Sequence, residues 1–194
     1  MKTVLTAILA GAIGLALGVA AADYLAWHGS GADPLRVGPW RTNVGIGSRD
    51  ANMLTRAAIA RTGLLALSSD ESVYFLARSD SDGRRLRADR SYRISGPVPP
   101  GARWWSITAY DEELYLFPSS TSRYSVSGRG TAAEGAGRLS VTVGPDPASG
   151  SDWIETAGDG EMTLNLRLYR FPEPRSGRLA SLQLPTIEAI GEAQ

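Results

Sequence analysis

Residues 92–111 read YRISGPVPPGARWWSITAYD, and the fold turns on how they are read. Two runs of strand composition, Tyr92 to Ser95 and Arg103 to Tyr110, flank Gly-Pro and Pro-Pro-Gly turn signals, which predicts a hairpin or a corner between sheets. Within the second run Trp105, Ile107 and Ala109 point one way, and Trp104, Ser106, Thr108 and Tyr110 the other. Large residues on both sides predict a strand covered on both faces where the tryptophans lie.

The same texture extends outward. Upstream, Val73, Phe75 and Ala77 alternate with Tyr74 and Leu76 as far as the turn at 79–83, SDSDG. Asp80, Asp82 and Gly83 hint at a calcium loop, but the remaining ligands and closing glutamate are missing, so a solvated turn is expected and no metal. Downstream, strand-like runs follow at Leu114 to Phe117, Arg123 to Ser127, Arg138 to Val143 and Met162 to Arg170. Leu139, Val141 and Val143, and then Met162, Leu164, Leu166 and Leu168, keep a strict period of two, the mark of strands with one buried face.

Before these runs one helix is predicted from near Ala51, capped by Ser48 or Asp50, with Met53, Leu54, Ala57, Ala58, Ala60 and Leu64 on a stripe. Short strands after a single helix argue against an alternating α/β sheet and for a mainly β, antiparallel sandwich. The tail from Phe171, with prolines at 172, 174 and 185, is expected to run over the sandwich, pinned by Leu182, Leu184 and Ile187.

The N-terminal stretch is different in kind. Residues 3–22 carry no charge, and as a helix at ~1.5 Å per residue they span about 30 Å, the thickness of a bilayer core. Ala20 to Ala22 would suit a signal-peptide cleavage site, but the apolar run exceeds the ~7–15 residues of a signal core, so a retained transmembrane anchor is expected at 1–22. Lys2 precedes the span and Asp23 follows it, which places the rest of the chain outside the cytoplasm. A row of small residues, Ala10, Gly14, Gly18 and Ala22, makes one helix face small enough for close pairing, though a segment this rich in Ala and Gly yields such a row by chance. Residues 23–47, rich in Gly and Pro, read as a tether in which Trp40 is the first candidate for burial, and 48–194 as one domain.

Composition excludes several functions. The 20 basic and 20 acidic residues balance, which leaves no footprint for nucleic acid. Cysteine is absent, and the only histidine, His28, lies outside the domain, so no Ser/His/Asp triad or multi-histidine metal site can form there. No catalytic residue and no cofactor is assigned.

The ordered pieces Pro99-Pro100, Trp105-Ser106-Ile107-Thr108 with Tyr110-Asp111, Arg123-Tyr124-Ser125, Trp153-Ile154 and Leu166-Arg167-Leu168-Tyr169 resemble the C-terminal domain of the DUF1254/DUF1214 group of bacterial proteins, in its short membrane-anchored form. The resemblance covers about residues 92–169 and implies a jelly-roll-like β-sandwich without implying an activity. Where such relatives carry a proline after the Trp-Leu pair, this chain has Glu155 and Thr156.

Three functional readings follow. The first is a non-catalytic envelope module, anchored in the inner membrane through residues 3–22 with its domain in the periplasm, that binds a glycan or a protein. Its candidate ligand residues are Trp105, Tyr110, Asp111, Arg123, Arg167 and Tyr169, since aromatic rings stack on sugars and polar groups bond their hydroxyls. The second is an assembly partner for another membrane protein. The third is a carboxylate-based hydrolase of an envelope glycan, drawing on Asp111, Glu112, Glu113, Asp152 or Glu155. Arg123 or Arg167 is expected to pair with Asp111.

Overall fold

A computed structural model describes residues 2–28, 34–61, 66–129, 137–146, 152–172 and 176–191. It opens with α1 (Lys2–His28), uncharged over residues 3–22 and exposed over residues 2–25. By length and composition α1 suffices to cross a membrane.

The remainder is two facing sheets. Strands β1 (Leu35–Val37) and β2 (Trp40–Thr42) come first, then helix α2 (Met53–Arg61), then β3 (Ser72–Ala77), β4 (Ser91–Pro97), β5 (Trp104–Tyr110), β6 (Ser125–Arg129), β7 (Arg138–Gly144), β8 (Asp152–Glu155) and β9 (Thr163–Tyr169). A short helix α3 (Ser176–Ala180) and strand β10 (Thr186–Ile190) close the chain. One sheet has the order β1-β2-β3-β9-β5-β6 and the other β10-β4-β7-β8.

Alternation builds the core between them. The inward set of the large sheet is Val73, Phe75 and Ala77, Trp105, Ile107 and Ala109, and Leu164, Leu166 and Leu168; the small sheet answers with Tyr92, Ile94, Leu139, Val141, Val143 and Ile187. The fold is thus mainly β and sandwich-like, as the sequence predicts. All pairings are antiparallel except β7 with β8, which run parallel from Val141↔Asp152 to Gly144↔Glu155. Hydrophobic period fixes which face is buried and leaves strand direction open, so this pair was beyond pattern reading.

Four local expectations change. Residues 35–42 lie within the expected tether, yet they pair as a hairpin, and Arg41 opposite Leu76 joins it to the large sheet. Trp40 is fully buried there, and its Nε1 donates to the Pro185 carbonyl at 2.8 Å. The tail runs on as β10, paired with β4, instead of lying across the sandwich. Gly96 of β4 lets it in: at φ +155°, a Cβ there would lie 2.7 Å from Pro185 Cα.

Third, α2 is capped by Asn52, whose Oδ1 accepts from the Thr55 N–H at 2.8 Å, while Ser48 Oγ accepts from the Asp50 N–H. Met53 is exposed, and Leu64 lies outside the described residues. Fourth, Leu114–Phe117 is no strand. Asp111 Oδ1 captures the Tyr115 N–H at 2.8 Å and Leu114 takes φ +68°, which turns the chain tightly after β5. At 79–83 the turn forms as expected, with Asp80 Oδ1 accepting from the N–H groups of Asp82 and Arg84.

Candidate ligand-binding face

The large sheet has a second face, turned away from the core. The register of β3, β9, β5 and β6 arranges it in rows: Tyr74, Arg167, Ser106 and Ser127; then Leu76, Asn165, Thr108 and Ser125; then Ser72, Tyr169 and Trp104. Arg41 on β2 extends the second row, beside Leu76. A strand pattern of alternating Leu and polar residues, TLNLRLY, gives β9 both its buried leucines and this outward Asn165, Arg167 and Tyr169.

Most of this polar floor is shielded from water. Ser72, Tyr74, Ser106, Thr108, Thr163 and Asn165 are all buried, although they point away from the sandwich core. Arg167 and Tyr169 reach two of them, Thr108 and Ser106. Arg167 Nη1 donates to Thr108 Oγ1 at 3.3 Å and Nη2 donates to the Tyr110 hydroxyl, with the guanidinium carbon 6.0 Å from the centre of the Tyr110 ring. Ser106 Oγ and Tyr169 Oη are 3.4 Å apart. On β3 the Tyr74 hydroxyl accepts from the Leu67 N–H, which holds that segment against the sheet.

Two polar atoms in the floor are unmatched. Asn165 Oδ1 and Ser72 Oγ are buried and have no hydrogen-bond partner among the described residues. An orphaned buried acceptor costs about 1–3 kcal/mol, so its persistence calls for a reason. Charge is unmatched too. The six strands of this sheet contain Arg36, Arg41, Arg129 and Arg167 and not one Asp or Glu. The ion pairs among the described residues are Arg85 with Glu161, Arg87 with Asp89, Arg123 with Asp152 and Arg170 with Glu71. None of them engages Arg36, Arg41 or Arg167. Overall neutrality therefore conceals a segregation that the topology creates, with acids such as Asp111, Glu112 and Glu113 left to the turn after β5.

Of the six residues singled out from sequence, Tyr110, Arg167 and Tyr169 meet on this face. Trp105 points into the core instead, where its ring packs on Gly128, so close that any Cβ there would meet the indole at 3.0 Å. Asp111 sits in its turn, and Arg123 pairs with Asp152 at 3.2 Å. The expected pairing of Arg123 or Arg167 with Asp111 gives way to these local partners. Ser72, Tyr74, Ser106 and Trp104 join the face; strict period two through β3 and β5 was the available signal.

Three of the five candidate acids, Asp111, Asp152 and Glu155, occupy structural contacts. Glu155 accepts from both the N–H and the hydroxyl of Ser120, and those bonds hold its carboxyl below the usual carboxylate range. The position after Trp153-Ile154 thus continues β8, and Thr156 next to it donates its hydroxyl to the Ala88 carbonyl at 2.7 Å. Among the described residues no group of three or more Asp, Glu or His is placed to hold a metal.

A family model described as a protein of unknown function, DUF1214, matches residues 71–174, more than half of the chain. The chain belongs to the DUF1214 family. The match takes in β3 to β9, and with them the whole polar face apart from Arg36 and Arg41. Among solved structures the chain is similar to the VPA0106 protein of Vibrio parahaemolyticus, at 20% identity and a TM-score of 0.53, over 73% of this chain and 36% of that one. A second likeness is to an uncharacterised protein from Burkholderia cenocepacia, at 16% identity and a TM-score of 0.43, over 61% of this chain and 29% of that one. The chain thus spans about a third of the length of these two neighbours, and the first likeness bears on fold alone. A comparison with curated proteins finds no match.

Proposed function

We propose that this DUF1214 protein is a non-catalytic binding module, tethered through α1 to the inner membrane and presenting the polar face of its large sheet in the periplasm to an envelope glycan. The observation that carries the reading is Arg167. Its guanidinium bonds the hydroxyls of Thr108 and Tyr110, two residues along β9 from the unpartnered Asn165 oxygen, and among the described residues no carboxylate pairs with it. Aromatic rings, hydroxyls and an unpaired cation on a rigid sheet suit a polyhydroxylated ligand. Lys2 before the span, against Asp23 after it, supports this orientation.

The test is a thermal-shift screen of the full chain in lipid nanodiscs against envelope glycan fragments. Binding at a hundred times the dissociation constant adds about 2.7 kcal/mol to stability, a clear rise in melting temperature. Loss of that rise in Tyr110→Ala would support the face. A screen without any shift would overturn the glycan reading. A C-terminal reporter active only in the cytoplasm would overturn the orientation.

A further inference from the structure

Resting on that reading, we propose that the ligand is an acidic glycan, a sugar chain bearing carboxylates, and that Arg167 and Arg41 are its two charge-reading positions. Arg167 and Arg41 stand on the same face. Arg41 opposes Leu76, Leu76 opposes Asn165, and Asn165 is two residues from Arg167 on β9. Two strand spacings, about 10 Å, and two residues along β9, about 7 Å, put the backbone positions of Arg41 and Arg167 about 12 Å apart, the span of two to three sugar units in an extended chain. Arg41 is exposed and Arg167 half-buried.

The absence of Asp and Glu from all six strands makes the face selective by sign. An anion meets no repulsion from the sheet floor, and a neutral sugar leaves both guanidinium charges as they were. Planar carboxylate matches the guanidinium fork in a bidentate pair, which the present partners of Arg167 do not supply. Its two bonds go to separate neutral hydroxyls, and the 3.3 Å one to Thr108 is the weaker. A carboxylate drawing the guanidinium outward releases that bond and frees the Thr108 hydroxyl, whose register partner on β9 is Asn165. Asn165 Oδ1, now orphaned, then accepts a sugar hydroxyl.

The experiment is calorimetric titration of the full chain in nanodiscs with hexagalacturonate, its fully methyl-esterified form and a neutral galactose hexamer. The expected result is binding of the acid alone, weakened about tenfold or more in Arg167→Met and in Arg41→Ala, with affinity falling as salt rises. Arg41 is exposed and has no ion pair among the described residues, so its variant reads charge without disturbing the fold. Equal binding of acid and ester would overturn the acidic-ligand inference while leaving the glycan module standing. Binding of none of the three, together with an empty glycan screen, would overturn both.

Discussion

Arg167 leans from β9 to β5 and donates to the hydroxyl of Tyr110, so that a strand cation is satisfied by a phenol and not by an acid. A charge held by neutral partners contributes little to folding, because its desolvation offsets most of the bonds it makes. Arg167→Met should therefore change unfolding free energy by about 1 kcal/mol or less, measured by urea titration. A loss of about 3–5 kcal/mol, the cost of stranding a buried ion-pair partner, would show that Arg167 holds the fold.

Trp40 and Pro185 tie the two ends of the domain together through one buried bond. Trp40→Phe keeps an aromatic ring in the core but leaves the Pro185 carbonyl without its donor. We expect a loss of about 1–3 kcal/mol from that orphan, with a further cost for the smaller volume. Trp104→Phe, at a 40% exposed position, should stay within about 0.5 kcal/mol and serves as the control in the same denaturation series.

The sequence made one half of this architecture legible and hid the other half for physical reasons. Period two in Leu164, Leu166 and Leu168 declared the core face of β9, and by subtraction named Arg167 and Tyr169 as its outward residues. The same alternation put Trp105 among the inward residues, so its selection as a ligand residue set aromatic character above the strand's own pattern. Direction and neighbours are another matter. Nothing in Trp40-Arg41-Thr42 announces that it pairs with β3, and nothing in Asp152 to Glu155 announces a parallel partner, because both depend on contacts distant in sequence. The charge segregation was invisible for the same reason: balanced composition becomes a basic sheet face only after the strand order is known.

Glu155 gives a pH-dependent signature. Its folded pKa is lowered from an ordinary value of 4.5 by the two bonds from Ser120. The stability these bonds contribute is complete above that ordinary value and is lost as pH falls through the lowered one. Glu155→Gln, a weaker acceptor without charge, should be less stable than the parent at neutral pH and should lose less on acidification below about 4.5. Melting temperatures of both proteins between neutral pH and about pH 3 check this. Parallel curves would show that the Ser120 contact contributes nothing; a residual acid slope in the variant is expected from Asp89, which Arg87 lowers in the same sense.

Asn165 offers the sharpest separation of folding from binding. Its Oδ1 is buried on the sheet floor without a partner among the described residues, and the side chain faces Thr108 across the strand pair. Replacing an unsatisfied polar group by an apolar one of similar size removes a desolvation cost of about 1–3 kcal/mol. Asn165→Leu should accordingly melt at the same temperature as the parent or higher, an unusual outcome for a buried substitution, since most of those destabilise. The same variant should lose glycan affinity, because the acceptor waiting for a ligand hydroxyl is gone. A stabilised protein that no longer binds would identify Asn165 as a position where stability is given up for recognition. A destabilised variant would instead place Asn165 in a structural bond of the sheet, and the orphaned oxygen would no longer support a site.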